Sequence, residues 1–306
     1  MESSTPVKPL SEAAPGGDPG TDSGPAGGAL PNLIVIGAQK CGTSVLHYYL
    51  SLHPEVSMSR PKELNFFIEE RNWPRGLDWY RAQFNADARV RGEASPNYSA
   101  YPQHQGVPER MHPVVPGAKL IYMVRDPLER IAAHWVHNYA KRREKGTLAE
   151  TLVHPRTSYV TRSMYAMQLE RYLTVYPKEQ VLVFQQSELR YQRTETLRTV
   201  FEFLGVDPDF THPRFEQERH KTSGKTRATR LAVGLERLGR SRRGRRLPTN
   251  FWLVLDDRLP LRRQIKRPDV RAALSPETLA ELRADAERLR ELTGRDFSNW
   301  KIWDSP

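Results

Sequence analysis

Cysteine is almost absent: Cys41 is the only one in 306 residues. An intrachain disulfide is therefore excluded, and the composition fits a reducing compartment. No apolar run approaches the roughly eighteen residues that a membrane-spanning helix requires. No basic segment followed by an apolar one opens the chain, so a cytoplasmic address is predicted. Internal repeats and recognisable nucleic-acid-binding modules are missing too. Residues 1–31 hold Pro, Gly, Ser, Ala and acids with few large apolar side chains, and are read as a disordered tail. The remainder, 32–306, is read as a single domain.

What is present is basic. The formal net charge is +11, with Lys and Arg concentrated over 221–246 and again over 258–271. Such density suits a polyanionic partner: a nucleotide, a nucleic acid, an acidic glycan or an anionic membrane surface. A solvated basic face explains it equally well. Composition does not choose between them.

The segment Leu33-Ile34-Val35-Ile36-Gly37-Ala38-Gln39-Lys40-Cys41-Gly42-Thr43-Ser44 is more informative. A short apolar strand runs into a turn with two glycines and a lysine, and a helix over 43–53 follows. That geometry turns backbone N–H groups and the positive end of a helix dipole toward an anion. The common nucleotide-binding pattern has its lysine directly after the second glycine. Here Thr43 takes that place and Lys40 lies inside the loop, so this is a phosphate cradle of a different kind.

Alternating apolar runs and helical segments extend the pattern. Strands are predicted at 33–36, 89–93, 119–124 and 180–184. Helices are predicted at 78–84, 103–112, 127–141, 161–176, 187–204, 226–239 and 276–292, with Asp126 and Ser275 as N-caps and Gly205 as a C-terminal stop. A basic loop is expected at 241–246. The fold class is thus α/β, a P-loop-like three-layer domain with a central parallel sheet flanked by helices.

Two further constellations carry chemistry. Arg125-Asp126-Pro127 follows the strand at 119–124, at the edge where open parallel sheets bind ligands, and Arg125 can grip a phosphate there. Lys62-Glu63-Leu64-Asn65-Phe66-Phe67 sets a carboxylate between a lysine and two aromatics. Partial burial would raise its pKa from about 4.3 toward working pH, making Glu63 a candidate general base. Trp73, Trp79, Tyr80 and Phe84 are candidates for stacking on an acceptor, bordered by Glu93, Asn97 and Tyr98. His134 and His137 lie three apart on a helix without a third ligand motif, so no metal is expected.

In order, Ile36-Gly37-Ala38-Gln39-Lys40-Cys41-Gly42-Thr43, His53-Pro54-Glu55-Val56, Lys62 to Phe67, Gly92-Glu93-Ala94-Ser95-Pro96-Asn97-Tyr98 and Arg125 to Arg130 resemble the sulfotransferases of the heparan-sulfate N- and 3-O-sulfotransferase type and their bacterial relatives. The resemblance continues through Arg162 to Tyr165 and into Leu274-Ser275-Pro276-Glu277. It implies 3′-phosphoadenosine 5′-phosphosulfate as donor and no metal. Lys40 then matches the lysine on the donor's phosphosulfate, and Cys41, Gly42, Thr43 and Ser44 match the rest of the 5′-phosphate loop. Arg125 matches the 3′-phosphate arginine and Glu63 the catalytic base. Lys266 and Arg267 match a later basic loop that touches the donor.

The sequence departs from that family twice. Ala133 stands where the family has a serine on the 3′-phosphate, a contact worth about 1.5–3 kcal/mol. Ala94 stands where the heparan enzymes have an acceptor-cleft lysine. The implied activity is transfer of a sulfo group to a hydroxyl, less readily an amine, of a carbohydrate, lipid or natural product. Alternatives are a nucleotide-dependent kinase, with Asp126 as the acid that would hold Mg²⁺, and a non-catalytic polyanion binder. A family member that binds donor weakly through Ala133 is a further one. No specific nucleic acid is expected as partner; the 221–246 stretch offers peripheral membrane contact or a solvated loop.

Overall fold

The fold is that of a computed structural model, which describes residues 28–154, 156–216, 226–228 and 262–304. Five parallel strands make its centre: β1 (Leu33–Gly37), β2 (Val56–Met58), β3 (Val90–Ala94), β4 (Lys119–Val124) and β5 (Val181–Gln185), in the spatial order β2-β3-β1-β4-β5. β1 lies in the middle and every one of its residues is buried. A parallel sheet covered on both faces requires the near-continuous apolar run seen there. β1 pairs with β3 on one side and β4 on the other. The chain changes direction across the sheet at β1, so a crevice opens beyond the carboxyl ends of β1, β3 and β4.

Helices flank the sheet. α1 (Thr43–Leu50) follows β1; α2 (Gly76–Arg81) and α3 (Val107–Val114) lie on either side of β3 in sequence; α4 (Pro127–Ala140) follows β4. Asp126 caps α4 as expected, its Oδ1 accepting from the Glu129 amide at 2.7 Å. α5 (Leu148–Thr151), α6 (Ser158–Thr161) and α7 (Tyr165–Leu173) lead to β5, and α8 (Gln186–Tyr191) and α9 (Arg193–Leu204) follow it. Gly205, with φ 75°, ends α9 as its sequence position suggests. The last helix, α10 (Pro276–Thr293), is capped by Ser275.

The structure revises several expectations. β2 is a three-residue strand, Val-Ser-Met, too short to carry a period-2 pattern, and was not anticipated. The helix expected over 161–176 is broken: α6 stops at Thr161 and α7 starts at Tyr165, and the turn between them carries Arg162 and Ser163. The helix expected over 187–204 is likewise two helices, parted at Gln192. The helix expected over 226–239 begins instead as a strand, β6 (Thr226–Ala228), paired antiparallel with β7 (Arg262–Gln264). The rest of that stretch, the basic loop at 241–246 and residues 1–27 lie outside the described residues. Leu30 packs against the core, and its carbonyl accepts from Arg91 Nε at 2.9 Å.

The C-terminal segment is sewn to the ligand-binding edge of the sheet. Trp300 Nε1 donates to Gln185 Oε1 at 2.7 Å, and the Ile302 amide donates to Asp126 Oδ2 at 3.0 Å. Asp285 on α10 accepts from the amides of Ala166 and Met167 at 3.0 and 2.9 Å, capping the first turn of α7. Burial pushes its carboxyl up to about 6 in spite of those amides. A carboxyl whose folded pKa exceeds its unfolded value stabilises below the unfolded value, and that contribution is lost as pH rises through the folded one. Between pH 4 and 6 this protein is expected to lose stability relative to Asp285→Asn by up to about 1.4 kcal/mol per pH unit. Urea unfolding of both proteins at pH 4.5 and 7 checks this; parallel changes would refute it.

Candidate active site

β1 stops at Gly37 because nothing larger fits. A Cβ there would stand 1.8 Å from Ser99 Oγ, so the loop after β3 lies directly on the end of β1. The chain then turns tightly, with the Ala38 amide donating to Met123 O at 2.7 Å and the Cys41 amide to Ala38 O at 3.1 Å. Lys40 (φ 73°) and Gly42 (φ 98°) both adopt the left-handed conformation that aims α1 at the cleft. The amides of Val45 and Leu46 both turn back to Gly42 O. The first-turn amides of Thr43 and Ser44 have no intrahelical acceptor and head the helix at the cleft.

The cleft at this edge has a volume of about 830 Å³, within the usual range for a ligand pocket of this size class. Lys40, Gly42, Thr43, Ser44, Glu63 and Arg125 all line it. Eighty-five positions separate Lys40 from Arg125, and the sheet order brings them together. Cys41 is the exception within the loop. Its side chain is fully buried, with Sγ 3.6 Å from Tyr165 Oη, burial pushes the thiol's pKa up, and its amide is used by Ala38. It shapes the loop from behind and presents neither its thiol nor its amide to an anion.

Arg125 pairs with Glu129 one helical turn on, Nη2 to Oε2 at 2.8 Å. Glu129 also receives Arg267, from the later basic loop, and Lys301 Nζ at 2.9 Å. Burial pushes the Glu129 carboxyl up, but the hydrogen bond from Lys301 and the charges of Arg267 and Arg125 outweigh it and hold it below its ordinary value. Arg267 thus joins the site through Glu129. Lys266 is exposed and does not line the cleft. Ala133 is buried on α4 and brings no polar atom to this end.

Glu63 takes a left-handed φ of 67° and pairs with Lys62 Nζ at 2.9 Å. The partial burial expected for it is not what the structure has: its side chain is 48% exposed, and Phe66 and Phe67 point into the core instead of enclosing it. Its place is fixed from below. Buried Glu93 receives Tyr80 Oη at 2.5 Å and Tyr98 Oη at 2.9 Å on one oxygen and Ser95 Oγ at 2.6 Å on the other. Ser95 Oγ accepts the Asn65 amide at 3.0 Å, and Asn65 Nδ2 donates to Glu63 O at 2.7 Å. Tyr80 and Phe84 are buried in the core, Trp73 and Trp79 pack beside it, and none lines the cleft. Of the suggested border residues, Asn97 alone reaches it.

Sequence reasoning did not find Arg71, Asn138, Lys141, Arg143, Ser158 and Gln186, which line the cleft, and gave Arg162 no role there. Gln186 had one available signal, its position directly after β5 at the ligand edge. Arg162 arrives through the unforeseen break between α6 and α7. It is 8% exposed, with Nη1 donating to Asn97 Oδ1 at 2.9 Å and Nε to Gln103 Oε1 at 3.3 Å. Burial and the nearby Arg130 and Arg71 charges push its guanidinium down to about 10. Among the described residues the cleft wall therefore carries six Lys and Arg side chains against one carboxylate, Glu63. His134 and His137 line it as well, and no cluster of three metal-ligating side chains occurs among the described residues.

Residues 30–236 match the family described as Sulfotransferase domain. The chain belongs to the sulfotransferase family. It is similar to the human bifunctional heparan sulfate N-deacetylase/N-sulfotransferase 2, 30% identical over 261 residues that cover 74% of this chain and 28% of that protein. It is also similar to the human heparan sulfate glucosamine 3-O-sulfotransferase 5, 31% identical over 58% of this chain and 54% of the other. The chain therefore spans between about a quarter and a half of the length of these relatives. Among solved structures, a sulfotransferase from Alicyclobacillus acidocaldarius matches with a TM-score of 0.63 and 28% identity, covering 89% of this chain and 99% of that one. As a sulfotransferase fold, the protein has the loop after β1, its basic cleft and its buried Glu93 at one sheet edge.

Ser95→Ala would strand a buried Glu93 oxygen and the Asn65 amide together. Each unpaired group costs about 1–3 kcal/mol, so a loss of several kcal/mol is expected. Tyr98→Phe removes one of two donors to the other oxygen and should cost less. Chemical denaturation compares them, and equal small effects would disprove the role of Ser95.

Proposed function

We propose that this chain transfers a sulfo group from 3′-phosphoadenosine 5′-phosphosulfate to a hydroxyl group of an acceptor, and less readily to an amine. The observation that carries the reading is the convergence of Lys40, Arg125 and Glu63 on one cleft headed by the N-terminus of α1. When bound, the donor supplies an activated sulfo group on a phosphate leaving group. Lys40 and the amides of Thr43 and Ser44 hold the 5′ end and stabilise the charge that grows on the leaving oxygen. Arg125 takes the 3′-phosphate, with Arg267 behind it across Glu129 and Lys266 further out. Gly42 suits this role, since a Cβ there would crowd Gln186 and Met123 at 3.2 and 3.3 Å. Glu63 accepts the acceptor's O–H proton as the new S–O bond forms. Its exposure and left-handed backbone place the carboxylate outside the core.

The acceptor belongs to a class that tolerates strongly basic surroundings. Arg71, Lys141, Arg143 and Arg162 remain on the cleft wall beyond the two cations assigned to the donor, and they favour an acceptor that itself carries negative charge, such as an acidic carbohydrate. The kinase reading is weaker because both Asp126 oxygens accept backbone amides, from Glu129 and Ile302. We further propose that residues 32–306 act as one domain, since the C-terminal segment closes on the sheet edge that carries the cleft.

Calorimetry is expected to show binding of 3′-phosphoadenosine 5′-phosphate and little or none of ATP; the reverse would return the protein to the kinases. With labelled donor and an extract of the source organism, mass spectrometry should reveal sulfated products. Lys40→Ala should lower their formation by about 100-fold or more, and Glu63→Gln should cut transfer while keeping nucleotide affinity. Ala133→Ser should tighten nucleotide binding by about tenfold or more if the missing hydroxyl limits the 3′ end. Unchanged affinity would mean that Arg125 and its neighbours complete that end without it.

A further inference from the structure

Among the described residues Arg130 is the largest fully buried side chain, and no carboxylate of theirs meets its guanidinium. Nε donates to Ser163 Oγ at 2.5 Å, Nη2 to the Tyr159 carbonyl, and Nη1 reaches His134 Nδ1 at 3.5 Å. The contact with His134, one helical turn along α4, has a chemical consequence. A guanidinium offers only N–H groups, so the ring nitrogen facing it must be the one with the lone pair. In the neutral ring the proton then sits on Nε2. His134 is itself 5% exposed yet lines the cleft, and the Tyr159 ring covers one side of it at 4.3 Å.

We infer that His134 is a further catalytic residue, an imidazole whose Nε2–H is offered to a non-bridging oxygen of the sulfo group in flight. The inference rests on the sulfo-transfer reading above. Arg130 is the positioning residue: it selects the tautomer and orients the ring. Every charged or titratable group facing His134 favours the neutral form. Burial comes first, followed by Arg130 on its own helix, Arg162 from the turn after α6, Lys40 from the phosphate loop, and His137 on α4. Together they hold the ring's pKa far below its ordinary value. A neutral donor suits the step. The S–O bond to the leaving phosphate breaks with its electron pair going to that oxygen, the bond to the acceptor oxygen forms, and the acceptor's proton passes to Glu63. His134 keeps its proton throughout, so it stabilises the moving sulfo oxygens without competing for the role of base.

The test uses the full chain saturated with 3′-phosphoadenosine 5′-phosphate, with inorganic sulfate standing in for the sulfo group. In protein carrying ¹⁵N-histidine, the resonances lost in His134→Gln identify His134. They are expected to report the Nε2–H tautomer, unchanged from pH 5.5 to 8. Arg130→Met should admit the Nδ1–H tautomer beside the Nε2–H form, and Arg130→Lys should not. Sulfate affinity should fall about tenfold or more in His134→Phe, as for a hydrogen bond to a charged group, and stay within about threefold in His134→Gln, which keeps an N–H near the same place. An Nδ1–H tautomer, a titrating His134 in the parent, no sulfate binding to the nucleotide-loaded parent, or equal affinity in the Phe and Gln variants would overturn the inference. The histidine variants test it even where a change at Arg130 prevents folding. Failure of 3′-phosphoadenosine 5′-phosphate to bind would instead defeat the sulfo-transfer reading itself.

Discussion

Positive charge held in place without acids to neutralise it is the constraint on which the rest of this structure depends. Two arginines around the cleft, Arg130 and Arg162, are buried, and each is held by neutral oxygens: Ser163 and Tyr159 for one, Asn97 and Gln103 for the other. Hydroxyls, amides and carbonyls satisfy N–H donors while leaving the charge standing. A carboxylate would have given a stronger pair and a neutral site. The fold therefore accepts both burial and mutual repulsion, which together lower the pKa of Arg162, and retains a field that an anion entering the cleft relieves.

The carboxylates that are buried nearby serve the backbone instead. Glu93 sits under the cleft with three hydroxyls on its oxygens, and burial pushes its carboxyl up. Through Ser95 and Asn65 it fixes the segment bearing Glu63, and through Asn65 and Asn97 the same network reaches Arg162. One buried hydrogen-bond chain thus sets the relative positions of the candidate base and of an acceptor-side cation. Asp126 likewise gives its oxygens to Glu129 and Ile302, fastening the C-terminal segment beside Arg125. Acids at this edge position groups, and only Glu63 is left facing the cleft.

Much of this was legible in the sequence, because the decisive signals are local. The apolar run before Gly37, the Asp126-Pro127 cap, the strand at Lys119–Val124 and the stop at Gly205 each depend on a few neighbouring residues. Lys40, Glu63 and Arg125 each lie in a short motif, and the fold brings all three to one cleft. Cys41 belongs to the loop as its motif suggests, but its amide is taken by Ala38 inside the turn, which the motif does not report. Arg162 and Ser163 were lost inside a stretch whose helical pattern continues across a break made by tertiary contacts: Asp285, 119 positions from Ala166, caps the new helix start. Arg71, Arg143 and Ser158 belong to no motif. Only the sheet order gathers them.

The two ends of the proposed donor site differ in their electrostatic design. At the 5′ end Lys40 and the terminus of α1 share the cleft with Arg162, a buried cation held by neutral oxygens. At the 3′ end Arg125 is already paired, and Glu129 alone would cancel it. Arg267 and Lys301 prevent this by placing three cations on one carboxylate, so positive charge stays in excess even with Asp126 beside them. Glu129 then orients Arg125 without consuming it, and an incoming phosphate need not break the pair to find positive charge. This arrangement gives the absence of a serine at position 133 a physical setting: charge from the C-terminal segment stands behind Arg125 where a single hydroxyl does not. The closing of that segment on α4 is thereby part of the site as well as part of the fold.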